Sequence, residues 1–178
     1  MKKQTRSLLL LSPLLIFMLA APVGAIHLQD VYDQAGPGEG YDKLLVLDPG
    51  ETYTGWMVTG TGMTCAIHGN GALIDLDFGY YIKAYQAQLD IDGCIITGGA
   101  YGVNYEYCLQ YDSTIRNCTI VGNNIGIQTN VSPLTIKNCI VIDNLQYGIA
   151  YLGGPGPQIM YNCVWNNGAL SYAEFCPS

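Results

Sequence analysis

TIRNCTIVGNNIGIQ, residues 114–128, is followed 21 residues on by TIKNCIVIDNLQYGIA, residues 135–150. The second stretch repeats the first with conservative changes. The same cysteine phrase stands at Cys65 (TCAIHG), Cys94 (GCIITGG) and Cys163 (NCVWNN), so that five cysteines succeed one another at steps of 29, 24, 21 and 24. A short, nearly fixed period marks a solenoid, in which each unit buries its apolar face only against its neighbours. A second phrase, a glycine beside aromatic or branched residues, keeps step at Gly79, Gly102, Gly126 and Gly148. It follows Cys94, Cys118 and Cys139 at 8, 8 and 9 residues, whereas the interval from Cys65 to Gly79 is longer by about six, so an insertion is expected there. The segments between the Gly and Asn turns are short and rich in Ile, Val, Thr and Tyr, which is strand and not helix chemistry. One coil of a parallel β-helix fits each unit.

Upstream, the chain opens with Lys2, Lys3 and Arg6, runs apolar from Leu8 to Ala20 and reaches Val23, Gly24 and Ala25. The apolar run is short for a membrane span, so residues 1–25 read as a cleavable secretory signal. Residues 26–178 are then one domain that is secreted, extracellular, periplasmic or at the cell surface. That domain carries four basic side chains (Lys43, Lys83, Arg116, Lys137) against all fourteen acidic ones, while the whole chain has a formal charge of −7. Phosphate binding needs clustered Lys and Arg, so no nucleic acid is expected as partner, nor any membrane after cleavage.

Seven cysteines in an exported chain ordinarily imply disulfides. Here Cys65, Cys94, Cys118, Cys139 and Cys163 are expected on one inward column, on rungs ~4.8 Å apart. Parallel side chains in register do not give the ~90° disulfide dihedral, so buried free thiols are expected. Cys108 and Cys176 fall three rungs apart, ~14 Å, beyond disulfide reach. Their redox state stays open.

Leu28, Val31, Tyr32 and Ala35 have helical spacing, and Gly36, Pro37 and Gly38 stop it. Residues 26–38 are therefore expected as a short helix and linker capping the open end of the first coil. Residues 43–168 hold the coils. Period-2 alternation points Ile115, Cys118 and Ile120, then Ile136, Cys139 and Val141, inward. In the glycine phrase Tyr80 and Ile82, Val103 and Tyr105, Ile127 and Thr129, Ile149 and Tyr151 follow. Turns fall at Gly69 and Asn70, Gly98 and Gly99, Gly122 and Asn123, Asp143 and Asn144, Asn166 and Asn167, where stacked asparagines can bond from rung to rung. Residues 169–178 form a tail with no capping helix, from which a fragment of a longer β-helix is expected.

With these motifs laid out, the chain resembles the right-handed parallel β-helix repeat family, whose best-known members are pectate-lyase-like proteins. The likeness covers residues 26–168, including LLVLDPGETYTGWMV with CAIHGNGALID as the first coil. It implies an all-β, right-handed, single-stranded parallel β-helix of about five coils with a short N-terminal capping helix. It fixes no activity, because one scaffold carries lyases, hydrolases, epimerases, adhesins and modules without chemistry. Members that cleave uronic-acid polymers use Ca²⁺-binding Asp and an Arg or Lys on an outward strand face. Others hydrolyse glycosidic links with paired Asp.

The outward positions of the glycine phrase give two columns, Tyr81, Asn104, Gln128, Ala150 and Lys83, Glu106, Asn130, Leu152. Tyr81, Lys83, Asn104, Glu106, Gln128 and Asn130 are the candidate saccharide-binding residues, an aromatic to stack on a sugar face with amides and an ion pair for hydroxyls. One carboxylate and no Arg are too few for catalysis there. An alternative basic column runs Asp92, Arg116, Lys137, Tyr161, where Arg116 and Lys137 could hold a uronate carboxylate. Asp75 with Asp77 and Asp90 with Asp92 share a face in the manner of Ca²⁺ ligands, which would matter for a lyase, but no metal and no other cofactor is expected. His27 and His68 stand alone, His68 as turn surface. Ala66, Ile95, Thr119, Ile140 and Val164 form an apolar outward column suited to a covering loop or to self-association. The expected function is a secreted β-helix module with a binding or structural role toward extracellular polysaccharide. The competing readings are a polysaccharide lyase or glycoside hydrolase, and an adhesion module.

Overall fold

The computed structural model describes residues 24–172. Residues 1–25, expected as a signal segment, fall almost wholly outside the described residues, as do Cys176 and most of the tail. The described chain winds into three parallel sheets of seven, six and six strands, each strand bonded to its counterparts one coil before and one coil after. This is the expected parallel β-helix. The cysteine sheet begins with Ile26–His27 and Thr52–Thr54 and ends with Cys163–Trp165. The glycine sheet runs from Met57–Thr59 to Leu170–Tyr172, and a third, charged sheet runs from Lys43–Val46 to Gln158–Met160.

Each sheet contributes one column of branched residues to the core. Ile67, Ile91, Ile115 and Ile136 stack on the charged sheet. Ile74, Ile96, Ile120 and Val141 stack on the cysteine sheet, and Ile82, Val103, Ile127 and Ile149 on the glycine sheet. All twelve are buried, and burying such a side chain stabilises by about 1.5–3 kcal/mol. Of the residues expected inward, Tyr80 is instead 46% exposed and Tyr151 half-buried.

The capping helix is Leu28–Gln34, with Leu28 and Tyr32 buried against the first coil. It also answers open backbone groups of the coil it covers. Gln29 Oε1 accepts the Val58 N–H at 2.9 Å and Tyr32 Oη that of Gly60 at 2.9 Å. Lys43 Nζ donates to the helix-end carbonyls of Asp33 and Ala35, which suits both the unpaired carbonyls and the helix dipole.

The corners are built from two recurring devices. Between the charged and cysteine sheets, Gly93, Asn117, Asn138 and Tyr161 succeed one another with φ of 69°, 53°, 53° and 57°. Between the cysteine and glycine sheets the turn divides two tasks between neighbours. Gly122, Asp143 and Asn166 take the left-handed conformation, while Asn123, Asn144 and Asn167 turn inward as a ladder. Asn123 Nδ2 donates to Asn144 Oδ1 at 3.1 Å and Asn144 Nδ2 to Asn167 Oδ1 at 2.8 Å. The stacked asparagines expected from sequence are thus present, on the residue that is not left-handed.

The cysteine column is shorter than expected. Cys94, Cys118 and Cys139 directly precede strand residues Ile95, Thr119 and Ile140, which pair in register. One coil earlier the position belongs to Ala72, because Leu73 pairs with Ile95. One coil later it belongs to Asn162, whose Oδ1 accepts the Cys139 N–H at 2.8 Å. Cys65 lies on the charged sheet, paired with Leu89, and Cys163 is one residue out of step and exposed. The insertion expected after Cys65 disappears with this correction, since Cys65 stands seven residues before the true position. Cys65, Cys94, Cys108, Cys118, Cys139 and Cys163 are all free thiols. Cys118 Sγ contacts the Arg116 carbonyl at 3.0 Å and Cys139 Sγ that of Lys137 at 3.3 Å, so each thiol closes the corner two residues behind it. Burial pushes the Cys65 thiol up to about 12, the behaviour of an inert core residue.

The glycine column is also reset. A side chain at Gly102 would lie 2.6 Å from the Gly126 carbonyl oxygen, and one at Gly126 would lie 2.5 Å from that of Gly148. These glycines are required by close approach. Gly79 has open space around it and φ of 131°, so it is a loop residue outside the column. Ile82 pairs with Val103, which places Tyr81, not Gly79, opposite Gly102.

Candidate functional site

On the outer face of the charged sheet one column runs Val46, His68, Asp92, Arg116, Lys137, Met160. The expected Asp92, Arg116, Lys137 order is in register. Its last member is Met160, whereas Tyr161 occupies the left-handed corner and is 88% exposed. Beside it runs Ala66, Asp90 and, one coil further, Thr114. The segment from Gly36 to Asp42 crosses these columns as a strap. Asp42 accepts from the backbone N–H and hydroxyl of Thr64, Glu39 lies 3.5 Å from His68 Nε2, and Tyr41 donates to Asp90 Oδ2 at 2.5 Å. Between strap and sheet is a cleft of about 70 Å³ lined by Tyr41, Ala66, His68, Asp90, Asp92, Thr114 and Arg116. The strap lies beside Ala66, which is only 2% exposed, whereas Ile95 and Ile140 of the column expected to be covered are 38% and 45% exposed.

The charges in the cleft are arranged unequally. Asp90 accepts from Tyr41, from Gln88 Nε2 at 3.0 Å and from the Thr114 N–H at 2.6 Å. Asp92 accepts from Arg116 Nε at 2.8 Å and Asn117 Nδ2 at 2.7 Å. Both carboxylates are therefore committed. The cations are less so. Arg116 meets Asp92 through its Nε, with its side chain 46% exposed, and among the described residues Lys137 has no carboxylate at ion-pair distance. Asp75 Oδ1 accepts the Asp77 N–H at 3.2 Å in a local turn. Among the described residues no three His, Cys, Asp or Glu side chains converge to hold a metal ion.

The bond to Asp90, followed by burial, raises the Tyr41 phenol from 10.0 to about 12. A raised acid stabilises the fold fully below the unfolded pKa, so this tie is complete below pH ~10 and is lost as pH climbs through about 12. In a difference titration of tyrosinate absorbance between the wild type and Tyr41→Phe, a single step is expected near the upper value. A difference step near 10 would mean that the strap is not tied down.

His68 is the residue that the sequence reading misplaced. It closes the strand Thr64–His68, half-buried and opposite Asp92. The signal was present in the phrase Ile, polar residue, Gly or Asn, which stands at Ile67-His68-Gly69, Ile91-Asp92-Gly93, Ile115-Arg116-Asn117 and Ile136-Lys137-Asn138. Glu39 and Tyr41 carried no such signal.

The six glycine-sheet candidates stand on one sheet, with Asn104, Gln128, Ala150 and Glu106, Asn130 in the expected register and only the first coil, Tyr81 and Lys83, two residues out of it. Lys83, Asn104, Gln128 and Ala150 form one outward column, and Tyr85, Glu106 and Asn130 the next. Lys83 still reaches Glu106, Nζ to Oε2 2.8 Å, on the diagonal. Asn104 Nδ2 donates to Glu106 Oε1 at 2.9 Å and Gln128 Nε2 to Asn104 Oδ1 at 3.3 Å. Burial pushes the Glu106 carboxyl upward, but the bonds from Lys83 and Asn104 outweigh it and hold the group below its usual value. Asn104 is 3% and Gln128 7% exposed, so these amides back the ion pair and cannot meet a ligand. The apolar outer column of the cysteine sheet is Leu73, Ile95, Thr119, Ile140 and Cys163, with Ala66 on another sheet and Val164 turned toward the core.

A family model described as right handed beta helix region matches residues 55–174. No curated protein and no solved structure matches the chain.

Proposed function

We propose, because the chain belongs to the right-handed β-helix family, that its outer columns carry the function, and that it is a secreted module binding an acidic polysaccharide through the charged sheet. The observation that carries this reading is the pairing of Arg116 with Lys137. Two of the four basic side chains beyond residue 25 lie one rung apart, ~4.8 Å, on an otherwise acidic protein, and Arg116 of the two lines a small cleft. A planar carboxylate on a sugar ring can accept from the half-exposed Arg116 guanidinium and from the Lys137 ammonium together. Tyr41 and His68 offer polar contact alongside. The committed state of Asp90 and Asp92 favours binding over hydrolysis by paired carboxylates and over a lyase that needs Asp side chains free to hold Ca²⁺.

The test is titration of the full chain with polygalacturonate and with its fully esterified form. Binding is expected only to the acidic polymer, weakening as salt rises and falling at least tenfold, ~1.4 kcal/mol, in Arg116→Gln with Lys137→Gln. Equal binding of both polymers, or a double variant that binds like the wild type, overturns the reading. Unsaturated product appearing in the same mixture would move the assignment to a lyase.

A further inference from the structure

We infer that the outer face of the glycine sheet is a second, separate binding surface, one that takes the apolar face of a neutral sugar ring. Four tyrosines frame the ion pair of Lys83 and Glu106. Tyr81 and Tyr85 both face the Lys83 ammonium, with ring centres 5.9 and 5.5 Å from Nζ. Each meets a second ring edge-on from the next coil, Tyr81 with Tyr101 at 6.5 Å and Tyr85 with Tyr107 at 6.0 Å. Tyr85 is 37% and Tyr107 50% exposed. The cation fixes the inner rings and the edge contacts fix the outer ones, so the panel is held in place before any ligand arrives. Rigid tyrosines give large amphipathic contact at small entropic cost. The corner loop leading into Tyr81 adds to the case, since it holds Phe78 96% exposed with both Asp77 and Phe78 left-handed. Such backbone persists only where surrounding structure enforces it, here through the Phe78 N–H on the Gly98 carbonyl.

Electrical neutrality selects the ligand class. The 2.8 Å pair cancels its own charge, and Asn104 and Gln128 lock it from behind. A charged ligand would have to break that pair, whereas a hydroxyl can donate to Glu106 and accept from Lys83 without doing so. Aromatic faces around a closed, neutral set of donors and acceptors suit an uncharged ring with one apolar face. The inference rests on this face alone and does not depend on the acidic-polymer site.

Native gels cast with a cellulose ether, xylan, galactomannan or mixed-linkage glucan test it on the full chain. At least one of these polymers is expected to retard the wild type, and Tyr85→Ala with Tyr107→Ala to weaken that retardation at least tenfold while keeping the wild-type melting temperature and the binding of polygalacturonate. Arg116→Gln with Lys137→Gln should leave neutral retardation intact and abolish acidic binding. No retardation by any of the four polymers, or a folded tyrosine variant retarded like the wild type, overturns the inference.

Discussion

Asn144→Ala is expected to lower the unfolding free energy by about 3–5 kcal/mol, the sum of several orphaned buried groups at ~1–3 kcal/mol each. The Asn144 side chain takes part in five hydrogen bonds. It donates to Asn167 Oδ1 and to the carbonyls of Ile120 and Ile142, and it accepts from the backbone and side chain of Asn123. Alanine leaves these partners without water in reach, since Asn144 is 1% exposed. For a domain of this size the melting temperature should fall by roughly 10 °C, read by circular dichroism. A loss under about 1 kcal/mol would mean that the ladder does not form as described.

The second large effect is at Tyr105, the largest fully buried side chain. Its ring fills the middle of the glycine sheet, stacked between Ala84 and Thr129, small neighbours that leave room for it. Its hydroxyl donates to the Leu89 carbonyl at 2.9 Å. Tyr105→Ala should cost about 3–5 kcal/mol through lost burial and a cavity. Tyr105→Phe should cost about 1–2 kcal/mol, the hydrogen bond alone. Urea unfolding of the two variants separates the contributions, and a phenylalanine variant as damaged as the alanine one would refute the assignment of most of the effect to ring volume.

Most of the fold was legible because a β-helix writes each coil in the same words. Residues 114–123 and their copy 21 residues on align without gaps. One extra residue enters before the glycine phrase, where Ile127 pairs with Ile149, and the turns, the asparagine ladder and the core columns of the central coils follow. The first coil was misread for a physical reason. Cys65 and the ladder cysteines are the same residue in different environments, a strand centre and a corner, and sulfur identity hid the better alignment of Ile67-His68 with Ile91-Asp92. On the glycine sheet the two-residue slip preserved every face, because side chains alternate with period 2. The Lys83–Glu106 pair survived the slip because long side chains reach diagonal neighbours. The strap over the charged sheet was not legible at all. Its tie from Tyr41 to Asp90 spans 49 residues, and no local pattern encodes it. Nor does alternation reveal that Asn104 and Gln128, though outward, are covered by their neighbours.

The uniform stacking has a kinetic side. Every strand pair joins residues between 21 and 27 positions apart, so no loop closure in the ladder grows with the length of the solenoid. A few neighbouring coils can form a nucleus, and later coils add to it like subunits to a filament. A chain synthesised from its N-terminus at ~5–20 residues per second can place one new coil roughly every one to five seconds. The helix-covered first coil is then a seed already closed on its far side, and growth has one direction.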